Sequence, residues 1–271
     1  MRVVFLGTGT SYGVPQIGCG CRTCTSVDPR DRRTRTAALI ESGGRRLLID
    51  TPPELRLQLV AAGVATLDAV LFTHAHADHV HGIDDLRAFS MRQRGRLPVY
   101  GAAGTLAELA RRFGYIFDGT PAQPGTSKPE LTTHVLEPDA EVEIAGLRVR
   151  ALSLPHGNHT VFGYRIGPVA YLTDAKAIPD AARAQLTGLE VLVLNALLPR
   201  PHPLHLSIPE AVAAALQIGA RQTFLTHLTH HASHAELAAG LPDGVAPAYD
   251  GLVIDVGWGR ADFPITQATS G

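Results

Sequence analysis

The sequence predicts an α/β protein, an αββα four-layer sandwich, and three observations carry that prediction. Short apolar runs of strand length recur along the whole chain. Helical patterns fall between several of them, and runs of strands with interspersed helices imply sheets covered by helices. Two such halves packed face to face give four layers. Finally, no linker divides the 271 residues, so one domain is expected over 1–271, long enough to bury a core.

The elements follow in order. "RVVFLG" opens the chain as a strand and leads into the Gly-rich "GTGTSYG", whose glycines fit a tight turn; Thr10 and Ser11 there are hydroxyls able to donate to a phosphate. "TAALIE" and "RRLLID" are the next strands. "PELRLQLVAAG" starts at Pro and stops at Gly, as helices prefer. "DAVLFT" and "LPVYG" are strands, and "GTLAELARRFG" has helical spacing. Gly119 to Leu131, "GTPAQPGTSKPEL", reads as a long surface loop and a candidate lid. "LRVRALSL", "TVFGYRI", "VAYLTD", "EVLVLNAL", "QTFLTH" and "GLVIDV" continue the strands. Between "EVLVLNAL" and "QTFLTH" lies the helix "SIPEAVAAALQIGA", with Ser207 as N-cap and Glu210 completing a capping box.

Composition narrows the function. The formal charge is −1, which argues against a grip on long nucleic acid through phosphates. "RDRRTR" (Arg30 to Arg35) is read as a solvated loop. No run approaches ~18 apolar residues, so no membrane span is expected. "MRVVFLGTGT" is too short for a signal peptide, and three cysteines cannot all pair within one chain; a cytoplasmic location with free or metal-bound thiols is expected.

The chemistry concentrates in "FTHAHADHVHG", Phe72 to Gly82. His74-x-His76-x-Asp78-His79 follows an apolar run, where a strand gives way to a loop. Imidazole and carboxylate both bind zinc, manganese or iron. On an extended or looped backbone, residues i and i+2 point the same way. His74 and His76 can then grip one ion while Asp78 and His79 face a neighbouring one. His81 breaks the spacing and reads as a supporting or solvated side chain.

This His-x-His-x-Asp-His loop resembles the hallmark of the metallo-β-lactamase superfamily, and the resemblance extends along nearly the whole chain. It implies that fold and two divalent ions, zinc or manganese. His156 in "LSLPHGN" would be the third histidine of the first ion, with His159 as competitor. Asp174 in "VAYLTDA" would bridge the ions, and His227 in "TFLTHLTH" would complete the second with Asp78 and His79. Asp50 in "LLIDTPPEL" falls where the family places a carboxylate that orients a ligand histidine; a helix N-cap explains it equally well.

A second metal site is expected at "GCGCRTC". Cys19, Cys21 and Cys24 suit a tetrahedral structural zinc, and the fourth ligand must be a histidine. His230 is chosen, with His231 and His234 as rivals. The cysteine pattern after "LGTGTSYGVP", together with "LTHLTH", is similar to the phosphonate-metabolism phosphodiesterases of the superfamily, relatives of tRNA 3′-processing endonucleases. A related cysteine pattern occurs in a pyrroloquinoline quinone biosynthesis protein, where the aspartate-histidine loop is altered; here it is intact.

The resemblance implies hydrolysis of small cyclic phosphodiesters, 5-phosphoribosyl 1,2-cyclic phosphate or 2′,3′-cyclic nucleotides, and a homodimer. A hydroxide between two cations is the expected nucleophile. His205 in "RPHPLHLSIPEA" is the expected general acid, chosen over His202, and Asp78 orients the nucleophile. The competing readings are a tRNA 3′-endonuclease, a β-lactamase or thioesterase, and a catalytically inert metal-binding scaffold. The tRNA enzymes carry an arm between the third histidine and the bridging aspartate, and here those residues are too close in sequence for one. Many β-lactamases place cysteine at the bridging position, where this chain has Asp174.

Overall fold

The computed structural model describes residues 1–257; positions 258–271 of the expected single domain lie outside the described residues. The first six strands are β1 (Arg2–Gly7), β2 (Ala37–Ser42), β3 (Arg45–Ile49), β4 (Ala69–Leu71), β5 (Leu97–Gly101) and β6 (Leu131–Val135). The next seven form the second sheet: β7 (Glu141–Ile144), β8 (Leu147–His156), β9 (His159–Ile166), β10 (Val169–Leu172), β11 (Val191–Asn195), β12 (Gln222–Thr226) and β13 (Val245–Pro247). β14 (Val253–Asp255) then returns to pair with β1, so each sheet has seven strands, ordered β14-β1-β2-β3-β4-β5-β6 and β13 back through β7.

Helices α1 (Leu55–Ala61), α2 (Ala77–Val80), α3 (Arg87–Gln93), α4 (Ala103–Arg112) and α5 (Gly114–Phe117) accompany the first sheet; α6 (Asp180–Ala184), α7 (Ile208–Ile218) and α8 (His234–Gly240) accompany the second. Three apolar layers show why this is the αββα sandwich. One lies between the sheets, where Phe5, Ile49 and Leu71 meet Phe162, Tyr164 and Val193. A second joins the outer face of the first sheet to its helices, through Leu39, Val70 and Phe72 against Leu55, Phe89 and Leu109. The third does the same for the second sheet, through Leu154 and Leu194 against Ala211 and Leu237. Strands buried on both faces read as unbroken apolar runs, which is why they were legible. Among the described residues no helix is long and apolar enough to cross a membrane.

Eight elements were not expected: β6, β7 and β13, and α2, α3, α5, α6 and α8. β6 is polar and half exposed, β7 is a short edge strand, and β13 ends in proline, as edge strands tolerate. α8 is only seven residues, yet it carries the same capping box as α7: Ser233 and Glu236 repeat the Ser207–Glu210 pairing. The 119–130 stretch is irregular and exposed as expected, with Lys128 reaching Asp118 at 2.7 Å. The glycines of "GTGTSYG" serve close packing. A Cβ on Gly7 would come within 2.0 Å of the Arg35 carbonyl, and one on Gly9 within 2.8 Å of the Arg33 carbonyl.

Candidate metal centre

Five strand ends converge at one rim of the sandwich. β4 runs out into the His74 loop, β3 into Asp50, β8 ends on His156, β10 leads to Asp174 and β12 to His227. The extended-backbone expectation holds for His74 and His76 but needs correction beyond them. Asp78 and His79 lie in α2, which starts at Ala77, so the first turn of a helix sets their directions. Asp50, Asp174 and His227 all take left-handed backbone conformations, with φ of 63°, 58° and 57°. Such strain in non-glycine residues costs about 1–3 kcal/mol each and gathers at functional sites.

The side chains form connected groups whose donor atoms lie within 4.8 Å of one another. His74, His76 and His156 make one; Asp78, His79 and His227 make another. Asp174 joins both, grouping with His74 and His79 and with His156 and His205. Its carboxylate lies 3.2 Å from His79 Nε2 and 3.2 Å from His227 Nε2. His159 is exposed, its ring 6.4 Å from that of His76, and stands outside these groups. His81 is exposed and meets Phe113 edge-on.

A layer of hydrogen bonds sets the imidazole tautomers. His79 Nδ1 donates to Asp50 Oδ2 at 2.7 Å. The Thr73 hydroxyl donates to the same carboxylate at 2.8 Å, which leaves it to accept from His74 Nδ1 at 2.9 Å. His156 Nδ1 donates to the Leu204 carbonyl at 3.1 Å. Asp50 therefore orients a histidine; it does not cap α1, whose N-cap is Glu54. Each bond turns an Nε2 lone pair inward. The Nε2 atoms of His74, His79 and His227, with Nδ1 of His205, are buried without a hydrogen-bond partner. Buried nitrogens so placed are costly unless something binds them. A donor set of five imidazoles and two carboxylates suits divalent cations of the zinc and manganese type. The residues therefore fit the metal pair.

The electrostatics agree. Burial drives the His74 imidazole well below its usual range, with His79 adding to the push, so it is neutral and able to ligate. Burial opposes charge on Asp174 and Asp78, but the imidazoles around them prevail and hold both far below the usual carboxylate range. On His79 burial is likewise outweighed, here by Asp174, Asp78 and Asp50, and its affinity for a proton rises. That proton competes directly with a cation for Nε2.

Two further residues place the cage and were missed in the sequence. Thr73 also binds Asp50 through its backbone N–H at 2.8 Å. Asn195, closing β11, accepts from Ala175 N–H at 2.8 Å and donates to the Ala175 carbonyl at 3.0 Å, clamping the turn behind Asp174. A lone polar residue ending an apolar run was the available signal in both. Replacing Asp50 with Asn removes the acceptor for His79 Nδ1–H, and a ten- to hundredfold loss of metal affinity is expected in a chelator competition assay.

The structure gathers the three thiols and His230 into one group. His230 Nδ1 lies 3.3, 3.3 and 3.5 Å from the Sγ atoms of Cys19, Cys21 and Cys24. Tetrahedral zinc with ordinary bond lengths separates S and N ligands by about 3.5 Å. A hydrogen bond from the Cys24 N–H lowers the Cys21 thiol to about 6, while burial raises that of Cys24 to about 11. The rivals point elsewhere: His231 is exposed beside Thr229, and His234 is buried against Tyr249. Cys24→Ser is expected to lower the metal content per chain by elemental analysis and to lower Tm, while metal at the histidine–aspartate cage is retained.

Two clefts open beside the cage. One of about 420 Å³ is lined by His76, His159, Thr160 and Arg112; the other, about 280 Å³, by Thr10, Tyr12, His202 and His205. A larger cavity, about 630 Å³, lies over the outer face of β1 and β2 beside α1 and holds none of these ligands; chemistry rather than volume locates the site.

Comparison with known proteins agrees with this fold. A family model described as "Beta-lactamase superfamily domain" matches residues 45–228. A protein of Porphyromonas gingivalis named octanoyltransferase is 42% identical over 255 residues, 93% of this chain; the chain spans only 51% of that protein. A crystal structure of a diphosphatase from the PhnP family is 38% identical with a TM-score of 0.87, covering 94% of this chain and 97% of that one. Zinc-bound PqqB from Methylobacterium extorquens is 20% identical with a TM-score of 0.78, covering 94% and 100%, and shares the fold.

Proposed function

This chain belongs to the metallo-β-lactamase superfamily, a metal-binding hydrolase fold, and from that premise we propose that it hydrolyses small phosphodiesters, with cyclic ribose phosphates as the substrate class. The observation that carries the reading is the shared carboxylate of Asp174, set between two groups of inward-turned imidazoles. Two divalent cations bound there, zinc or manganese, would activate a water for in-line attack and neutralise the phosphoryl oxygens. His74, His76 and His156 would hold one ion, Asp78, His79 and His227 the other, with Asp174 common to both.

The remaining work falls to the chain's own groups. Asp78, half-buried at the cage wall, accepts a hydrogen bond from the attacking water and aims it. His205 lies beside Asp174, its Nδ1 3.5 Å from Asp174 Oδ1, and lines the smaller cleft. It is the group placed to hand a proton to the departing alkoxide. Burial pushes its imidazole down to about 3, so it is neutral at rest. A phosphoryl anion beside it supplies the charge that lets it hold the proton it transfers.

The 38% identity to a diphosphatase favours a second substrate class, a phosphoric anhydride, cleaved by the same attack. The tRNA endonuclease reading lacks its arm: β9 and β10 occupy the stretch between His156 and Asp174. The name octanoyltransferase belongs to a protein about twice this length, of which this chain spans 51%. The test is turnover of 2′,3′-cyclic AMP, a chromogenic phosphodiester and a dinucleotide diphosphate by metal-loaded protein. Rates above background on either ester support the reading. Background rates on both esters with the metal sites filled reject it, and turnover of the diphosphate alone moves the assignment to the anhydride.

A further inference from the structure

At the far end of the second sheet lies a polar cleft of about 490 Å³ that the proposed reaction does not use. Arg148, Arg150 and Arg165 line it with the single carboxylate of Glu141, leaving two formal positive charges in excess. Arg148 is eight residues before His156 on β8, so at about 3.3 Å per residue the cleft lies about 26 Å from the metal centre.

Arg150 and Arg165 are directly opposite in the antiparallel β8–β9 register. Like charges so placed destabilise a sheet unless something compensates them. Compensation is incomplete. Glu141 binds Arg150 at 3.1 Å, and Arg150 also donates to the Asp139 carbonyl. Arg165 is tied by two neutral carbonyls, Gly167 and Gln185, which aim its guanidinium without cancelling its charge. Among the described residues Arg148 and Arg165 form no ion pair, and Glu143, opposite Arg148 in the β7–β8 register, forms none either. Burial, and then Arg150, lower the Arg165 guanidinium from its usual range.

We propose that this cleft binds the phosphate group of a small molecule. A guanidinium fork presents paired N–H donors that match phosphate oxygens, and two excess charges match a phosphomonoester dianion. The hollow has the volume of a small-ligand site, where a protein partner would favour a flat patch. The site stands independently of the reaction proposed above, because it shares no residue with the metal centre.

The test is amide NMR of the metal-loaded protein titrated with inorganic phosphate at low salt. Gly167 and Gly188 report the cleft, and the His74 loop reports the metal centre. Saturable shifts at Gly167 and Gly188 are expected, weakened at least tenfold in an Arg148→Ser/Arg165→Gln double variant while shifts in the His74 loop persist. Arg148→Ser alone, at an exposed side chain, carries the test if the double variant does not fold; a several-fold weakening is then expected. Phosphate shifts confined to the metal centre overturn the proposal, as do cleft shifts of equal affinity in the variants. Hexaglutamate moving these amides where phosphate does not also overturns it, in favour of an acidic protein partner.

Discussion

Asp174→Asn is expected to reduce phosphodiester turnover to the uncatalysed background and to lower the active-site metal content from two ions per chain to one or none. Asparagine keeps the volume and the Thr173 hydroxyl contact, 2.7 Å in the native chain, so the fold is expected to persist by circular dichroism. What it loses is the charge that faces His79 and His227 at 3.2 Å each. A metal lowers the pKa of bound water from 15.7 to about 7, and a cage that cannot hold the pair forfeits that activation. The loss should therefore exceed the roughly hundredfold effect expected from a supporting residue such as Asp50. Elemental analysis together with the chromogenic assay checks it. Two retained ions with undiminished rate would remove Asp174 from the centre of the mechanism.

His205→Gln carries the second large effect, and its size depends on the leaving group. A ribose alkoxide needs a proton as it departs, and losing a general acid costs about 10²–10⁴-fold. A nitrophenolate leaves without one. The variant is expected to lose that factor on a 2′,3′-cyclic nucleotide and far less on the chromogenic ester. Activity that requires a protonated acid falls as pH rises through the pKa of that acid, so an alkaline limb in the native profile is expected to vanish in the variant. Equal losses on both substrates would instead make His205 a structural neighbour of Asp174, consistent with its grouping with Asp174 and His156.

The outer layers of the fold were less legible than its strands. Most of the eleven apolar runs stood out because strands covered on both faces need no alternation; the run of β14, an exposed edge strand, is the exception. β6, β7 and β13 lie at sheet edges or are partly exposed, where the apolar signal thins. α8 hid behind its length although its Ser-x-x-Glu cap was present. At the metal centre the residue types were readable and their arrangement was not. "FTHAHADHVHG" showed which atoms could bind cations, but the helical start at Ala77 was not apparent, and it decides where Asp78 and His79 point.

By itself the sequence determined what is local: the strand and helix patterns, the crowding of imidazoles and carboxylates at strand ends, and three thiols spaced for one ion. The tertiary structure decided what depends on residues distant in the chain. It chose His230 over His231 and His234, made Asp50 the partner of His79, and forced Asp50, Asp174 and His227 into left-handed backbone. Those outcomes arise because two sheets buried against each other leave their strand ends one shared rim, where the packing of the whole molecule can hold conformations that no local stretch would adopt alone.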